Sequence, residues 1–190
     1  REEYNDILAD LKNRSWSSFE EALAALLEAD ARTLEVEQVG YWKIGEMAAS
    51  MTLQDMFVQS QNKHVKGHSL AAKDYPFYFK ALDGLRTLSA EDACEDPFTS
   101  EFKDDYLIPQ GITSMLDIGV RSHGSLIGIL CHEHKGPKRQ WQHEEENFAL
   151  GIADLISAAI GKEEQSHWVT ERKTLVERIR ALENELKKKK

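Results

Sequence analysis

The sequence predicts an α+β fold: one antiparallel sheet with the first and last helices on one face and a mixed segment on the other. Three observations carry this reading. The periodicities run helix, two strands, mixed connections, two strong strands, helix. Residues 112–121 and 125–134 form two apolar runs joined by Ser122–His123–Gly124, a hairpin with a Gly-containing turn. After Gln142 a helical stripe continues without a stop signal almost to the end of the chain.

Taken in order, residues 2–12 place Tyr4, Ile7, Leu8 and Leu11 on one helical stripe, which Asn13, Arg14 and Ser15 interrupt. Ser17 or Ser18 caps a second helix, with Glu20 and Glu21 in its first turn, running to about Arg32. Its wide apolar face suits packing on a sheet. Val36 to Ile44 and Met51 to Val58 are β-rich and flank a turn near Gly45 and Glu46. Residues 59–68 are polar and read as a loop or hairpin tip, followed by a short strand near Ser69 to Ala72. Asp74 and Pro76 start a helix over DYPFYFKALDGL, residues 85–89 suit a strand, and 90–98 a loop. Residues 99–108 read as a short helix ended by Pro109 and Gly111. Both strands of the 112–134 hairpin are apolar on successive positions, so both of their faces should be covered. In the last helix, Glu144, Glu145 and Glu146 occupy a first turn that favours negative charge. Phe148, Ile152, Leu155, Ile156 and Ile160 face a core. Trp168, Arg172, Leu175, Ile179, Leu182 and Leu186 then repeat at spacings of four and three, a heptad seam holding one Arg.

Composition narrows the function. The chain has 190 residues, 41% hydrophobic and 30% charged, with a formal charge of −9, which argues against a nucleic-acid surface. The basic run Lys187 to Lys190 suits a solvated helix end. No apolar run reaches membrane-spanning length and no export signal is visible, so no direct membrane insertion is expected. Cys94 and Cys131 make no disulfide framework, and a cytoplasmic setting is the simplest. The chain starts at Arg1 rather than Met, and is read as a piece of a longer protein. P-loop, GxGxxG, GxSxG, HExxH and CxxC patterns are all missing, and the reading is of a non-enzymatic domain.

Residues SMLD (Ser114 to Asp117), GILCHEH (Gly128 to His134), Gly136, Arg139 and Trp141 closely resemble the C-terminal half of GAF domains in bacterial sensor histidine kinases and diguanylate-cyclase proteins. The helix 144–160 is similar to that family's closing helix, and DYPFYFKAL (74–82) to its mid-domain helix. The resemblance covers about 17–160. The sequence departs from it at two places: Ile118–Gly119 stands where the family commonly has a small residue and Pro, and Gln142 where it often has a Thr cap. The resemblance implies a GAF-like sheet of about six strands, a helix layer used for dimer contacts and a pocket on the opposite face. It also implies a covalently linked output domain such as a histidine kinase or a diguanylate cyclase. Family members bind cyclic nucleotides, tetrapyrroles, haem, metals or metabolites, and many bind nothing known, so fold leaves the cofactor unknown.

The pocket candidates are Tyr75, Tyr78, Phe79, Phe102, Tyr106, Met115, Asp117 and His132. The aromatics come from the segment expected to roof the pocket, and each alone also reads as ordinary core. Asp117 lies in an apolar strand and must be paired, either as a polar anchor in the pocket or through a hydrogen bond to backbone or a loop Arg. In Cys131–His132–Glu133–His134 the two histidines point to one side of the strand and Cys131 and Glu133 to the other, so the four cannot converge on one metal. The histidines read as half of a zinc or iron site, or as structural groups bonded to the Arg139–Trp141 loop. Tetrapyrrole-attaching members carry their Cys–His pair in the mid-domain connection, not in this late strand. His64 and His68 read as loop histidines, and Cys94, among carboxylates, makes a poor nucleophile.

These readings combine into a domain plan: a connecting helix over 1–14, a GAF domain over 15–161 and a coiled-coil signalling helix over 162–190. The expected function is small-molecule sensing, relayed through a homodimer of terminal helices to an output domain. The alternatives are a passive dimerisation spacer or a metal or haem sensor.

Overall fold

The computed structural model describes residues 2–84 and 86–188. Helices α1 (Glu2–Asn13) and α2 (Phe19–Leu34) lead into strands β1 (Gln38–Ile44) and β2 (Ser50–Val58). Short strands β3 (Lys63–Val65) and β4 (Ser69–Ala71), helix α3 (Pro76–Gly84) and strand β5 (Thr87–Ala90) follow. A helical run over 100–107 ends in α4 (Ile108–Gln110), and β6 (Ile112–Ser122), β7 (Ser125–Lys135) and α5 (His143–Lys188) complete the order. The strands form one antiparallel sheet in the order β3-β2-β1-β7-β6-β5, with β4 also paired to β2, so β1 and β7 lie at its centre.

Local chemistry sets the boundaries. Ser18 caps α2, its Oγ accepting from Glu21 N–H at 3.2 Å, while the Glu21 carboxylate reaches back to Ser17 N–H at 2.7 Å, a capping box shifted by one residue. The β6–β7 turn needs left-handed backbone at both central residues, and His123 (φ 49°) and Gly124 (φ 82°) supply it. At Gly128 the Tyr41 ring crosses so closely that an added Cβ would lie 2.3 Å from it. Gln142, a poor cap by type, is supported by Glu145, whose carboxylate accepts from Gln142 N–H at 2.8 Å. The same carboxylate pairs with Arg139, whose guanidinium also donates to Leu34 O at 2.8 Å and lies over the Trp141 ring. One arginine thus ties the end of α2 to the start of α5.

Two stretches differ from the sequence reading. The polar segment 59–68 contains strand β3, because His64 inside it is held by Asp55 (2.9 Å) and Glu28 (3.3 Å). His64 is therefore a strand residue and not a loop one. The segment 99–108 is a 3-10 turn and a π-helical turn that continue through Pro109 into α4, so the chain turns at Gly111 and Pro109 ends nothing. Leu85, at the start of the expected strand 85–89, lies outside the described residues, and that strand is observed as Thr87–Ala90.

The sheet is covered on both faces. One core joins α1, α2 and α5 to Val39, Tyr41, Phe57, Leu116, Ile118, Val120 and Leu130. The other joins the segment 70–107 to Trp42, Met51, Leu53, Met56, Met115, Ile129 and Cys131. On β2 the phase changes, because Gln54 is an extra residue opposite Tyr41 and Trp42. Leu53 and Met56 therefore share a face although they are three apart.

A wholly buried ion pair fixes the helix layer on the sheet. His132 Nε2 lies 2.9 Å from Asp30 on α2, and His132 Nδ1 lies 2.7 Å from Leu116 O. Burial alone lowers the histidine pKa, but the Asp30 charge and hydrogen bond outweigh it, with help from Leu116 O and Asp117, and raise it above 6.5. Stability from this group is complete below about pH 6.5 and is lost as pH rises through the folded value. Replacing His132 by Ala should cost about 3–5 kcal/mol in urea unfolding at pH 6, because it leaves Asp30 buried and unpaired. An Asp30→Leu/His132→Leu double variant should recover most of that loss.

Candidate functional site

On the face opposite α2 and α5, the sheet and the segment 63–110 enclose a cavity of about 490 Å³. Trp42, Tyr75, Tyr78, Phe102 and Tyr106 line it, with Met51, Leu53, Met56, Val58 and Met115. Tyr75 and Phe102 stack at 4.4 Å, and Phe102 meets Tyr78 edge-on at 4.8 Å. Glu101 accepts from Tyr78 N–H at 2.8 Å, which joins the start of α3 to the helical run.

Polar groups concentrate on the floor. Glu133, 2% exposed, accepts from Tyr106 OH at 2.8 Å and from Gln38 Nε2, which also donates to Tyr106 at 3.0 Å. Among the described residues its other oxygen has only the Cys131 thiol, at 3.6 Å. Beside it, Asp117 accepts from Tyr78 OH at 2.7 Å, and its Oδ1 has no partner among the described residues. Burial pushes Glu133 up to about 7 against the hydrogen bonds from Gln38 and Tyr106, and raises Asp117 as well. Burial and both neighbouring carboxylates push the Cys131 thiol far up, so it stays protonated.

Five of the eight sequence candidates line this cavity: Tyr75, Tyr78, Phe102, Tyr106 and Met115. Phe79 does not, and is half-buried against the edge of Tyr78 at 6.1 Å. Asp117 is absent from the lining, and its partner is the Tyr78 hydroxyl rather than backbone or an Arg. His132 is a correction: strand alternation sends it into the helix layer, against Asp30. The partner expected for it in the 139–141 loop belongs instead to Ser114, whose Oγ accepts from Arg139 N–H at 2.8 Å. Gln38, Trp42, His68, Cys131 and Glu133 line the cavity without having been singled out for it. Glu133 had a readable signal, a carboxylate within an apolar strand, which is the argument that picked Asp117. Among the described residues no group of three or more His, Cys, Asp or Glu is placed to hold a metal ion.

Along α5, Trp168, Leu175, Ile179 and Leu182 are each more than half exposed, and Arg172 is exposed too. The side chain of Leu186 lies outside the described ones, as do residues 189 and 190. Among the described residues no helix is long and apolar enough to cross a membrane.

Residues 18–160 match the GAF domain family. The chain belongs to that family. No curated protein matches it in sequence. Among solved structures it is similar to a GAF domain of a phosphoenolpyruvate-protein phosphotransferase from Coxiella burnetii, at 16% identity and a TM-score of 0.68, covering 86% of this chain and 96% of that one. The phycoerythrobilin-bound GAF domain of a cyanobacterial phytochrome gives 17% identity and a TM-score of 0.71, covering 86% and 97%. A domain assigned to a two-component sensor histidine kinase of Sinorhizobium meliloti gives 18% and 0.61, covering 82% and 99%. At these identities the likeness concerns the fold. GAF domains are regulatory modules and often bind small molecules.

Two outcomes are expected of this GAF domain. Tyr78→Phe should cost about 1–3 kcal/mol in chemical denaturation, because Asp117 then loses its buried donor. Glu133 takes up a proton more readily when folded than at its ordinary 4.5, so its contribution is complete below that value and is lost as pH rises through about 7. The Tm should fall between pH 5 and pH 8, and Glu133→Gln should flatten that fall.

Proposed function

We propose that the chain is a small-molecule-sensing GAF domain that relays its state through a dimeric coiled coil to an output domain. The cavity carries this reading. It is roomy, walled by aromatics and equipped with a few buried polar groups, which is the make-up of a small-ligand site. A passive spacer would need a filled interior there.

The relay follows from the sheet. β7 presents Cys131 and Glu133 to the cavity and Leu130 and His132 to the helix layer. A ligand that favours one placement of α3 and the segment 100–110 against the floor also biases the strands on which α2 and α5 rest. Such a switch works to the extent that the ligand binds the two states differently. The domain plan, 1–14, 15–161 and 162–190, is part of this proposal. So is a parallel homodimer through the seam from Trp168 to Leu186, because a parallel pair delivers two identical helices to one output. The two free cysteines suit a cytoplasmic setting.

Native and denaturing mass spectra of the purified protein test both halves. A dimer whose extra mass vanishes on denaturation supports the proposal, a dimer without adduct favours the spacer, and a monomer overturns the coiled coil. Arg172→Leu should tighten the dimer at least tenfold by sedimentation, since an apolar residue then replaces a charge in the seam. Ile179→Asp should dissociate it.

A further inference from the structure

The cavity holds a buried carboxylate, Glu133, that no cationic side chain pairs with among the described residues. Glu133 lines its floor with Asp117 beside it outside the lining, each 2% exposed, and among the described residues no side-chain nitrogen of Lys, Arg or His lies within 4 Å of either carboxylate's oxygens. Lys63, His68 and Lys135 also line the cavity, but Lys63 and His68 are exposed and Lys135, partly exposed, has its Nζ 3.8 Å from Glu37. The Oε1 atom of Glu133 has only a weak thiol donor, and Asp117 Oδ1 has none. Five aromatic rings line the same space. Rings beside an under-satisfied buried carboxylate form an environment that holds an ammonium or guanidinium group in preference to an anion.

We propose that this cavity takes an organic cation, an amine, guanidinium or quaternary ammonium of up to drug-fragment size, with the Glu133 carboxylate as its counter-ion and the rings of Trp42, Tyr75, Tyr78, Phe102 and Tyr106 around it. The proposal rests on the small-molecule-sensing reading and names its ligand class. Gln38 and Tyr106 hold Glu133 in place from β1 and the helical run, leaving Oε1 for the ligand. The groups around Glu133 are Tyr106, Cys131 and Asp117, with Lys63, His68, Asp105 and Lys135 elsewhere in the lining. Because burial keeps Glu133 half-protonated near neutrality, a cation that enters has to expel that proton. Binding therefore strengthens as pH rises.

The test uses benzyltrimethylammonium, whose charge does not titrate, and benzamidine, against neutral benzamide and anionic benzoate, by calorimetry and thermal shift. Both cations should bind at pH 8 and the other two should not. Benzyltrimethylammonium should bind at least tenfold more weakly at pH 5.5 than at pH 8. Glu133→Gln, shown to be folded by circular dichroism, should weaken it at least tenfold, and Tyr75→Leu about threefold to tenfold. Equal binding of benzamide or benzoate, cation binding that survives Glu133→Gln, or no cation binding at 5 mM overturns the inference. If the Gln variant does not fold, a flat pH profile of the wild-type protein overturns it instead. A co-purifying neutral or anionic adduct in the native spectrum would sink the cation and leave the sensing reading standing.

Discussion

Strand β7 is buried on both faces, so each polar side chain from Cys131 to Glu133 must find its partner inside the protein. An unpaired buried charge costs several kcal/mol, and the rest of the fold is arranged around avoiding that. On the helix side Asp30 meets His132, which fixes where α2 lies. On the cavity side Gln38 and Tyr106 meet Glu133, which fixes the helical run over the floor. The side-chain period of two separates these solutions completely. One face closes with a matched His–Asp pair, and the other keeps a buried carboxylate with no cationic partner among the described residues.

That asymmetry explains which parts were legible in the sequence. The long elements were, because their apolar periods are regular: the capped helix at Ser18, the hairpin around His123–Gly124 and the unbroken α5. Both-face burial of the hairpin was legible too, from its continuous apolar runs. Strand β3 was not, since its pairing depends on Asp55 and Glu28 meeting His64 across the fold rather than on any apolar pattern. Nor was the phase change on β2, because the bulge at Gln54 leaves no mark in composition. In the cavity, aromatics of the roof were legible from their segment, whereas of the floor only Met115 was singled out among the residues that line it. Alternation already separated Cys131 and Glu133 from His132, but which side held the helices could not be read from β7 alone.

Connection between the two layers is carried by contacts of different stiffness. The α2–sheet contact is an ion pair inside close-packed Leu and Ala residues, and Arg139 clamps α2 to α5 through Leu34 O and Glu145. Packed interiors resist small deformations and move as units. The cavity roof is different. It contains a 3-10 turn, a π-helical turn and a short helix in succession, and the polar ties to the floor come from two hydroxyls, Tyr78 to Asp117 and Tyr106 to Glu133 and Gln38. Local rearrangement is therefore easiest on the cavity side and rigid-body movement on the helix side, which is the order that a ligand-driven relay requires.

The exposed stripe on α5 bears on the same question. Within the GAF core, α5 buries Phe148, Ile152 and Ile156, and that burial holds the helix from its start. Beyond residue 161 the described residues are all exposed, so among them the extension has backbone hydrogen bonds and the Thr170 and Thr174 hydroxyls donating to carbonyls one turn back in its favour. Such a helix is marginal alone in water. Trp168, Leu175, Ile179 and Leu182 at heptad spacing would add the missing apolar burial if a second helix lay against them. A second copy of this chain would offer the same stripe at the same height above the same core, so in the proposed dimer two cores and one seam would close by a twofold axis without further surface. In that proposed pairing, Arg172 in the middle of the seam would keep the contact from becoming so favourable that the core could no longer shift it.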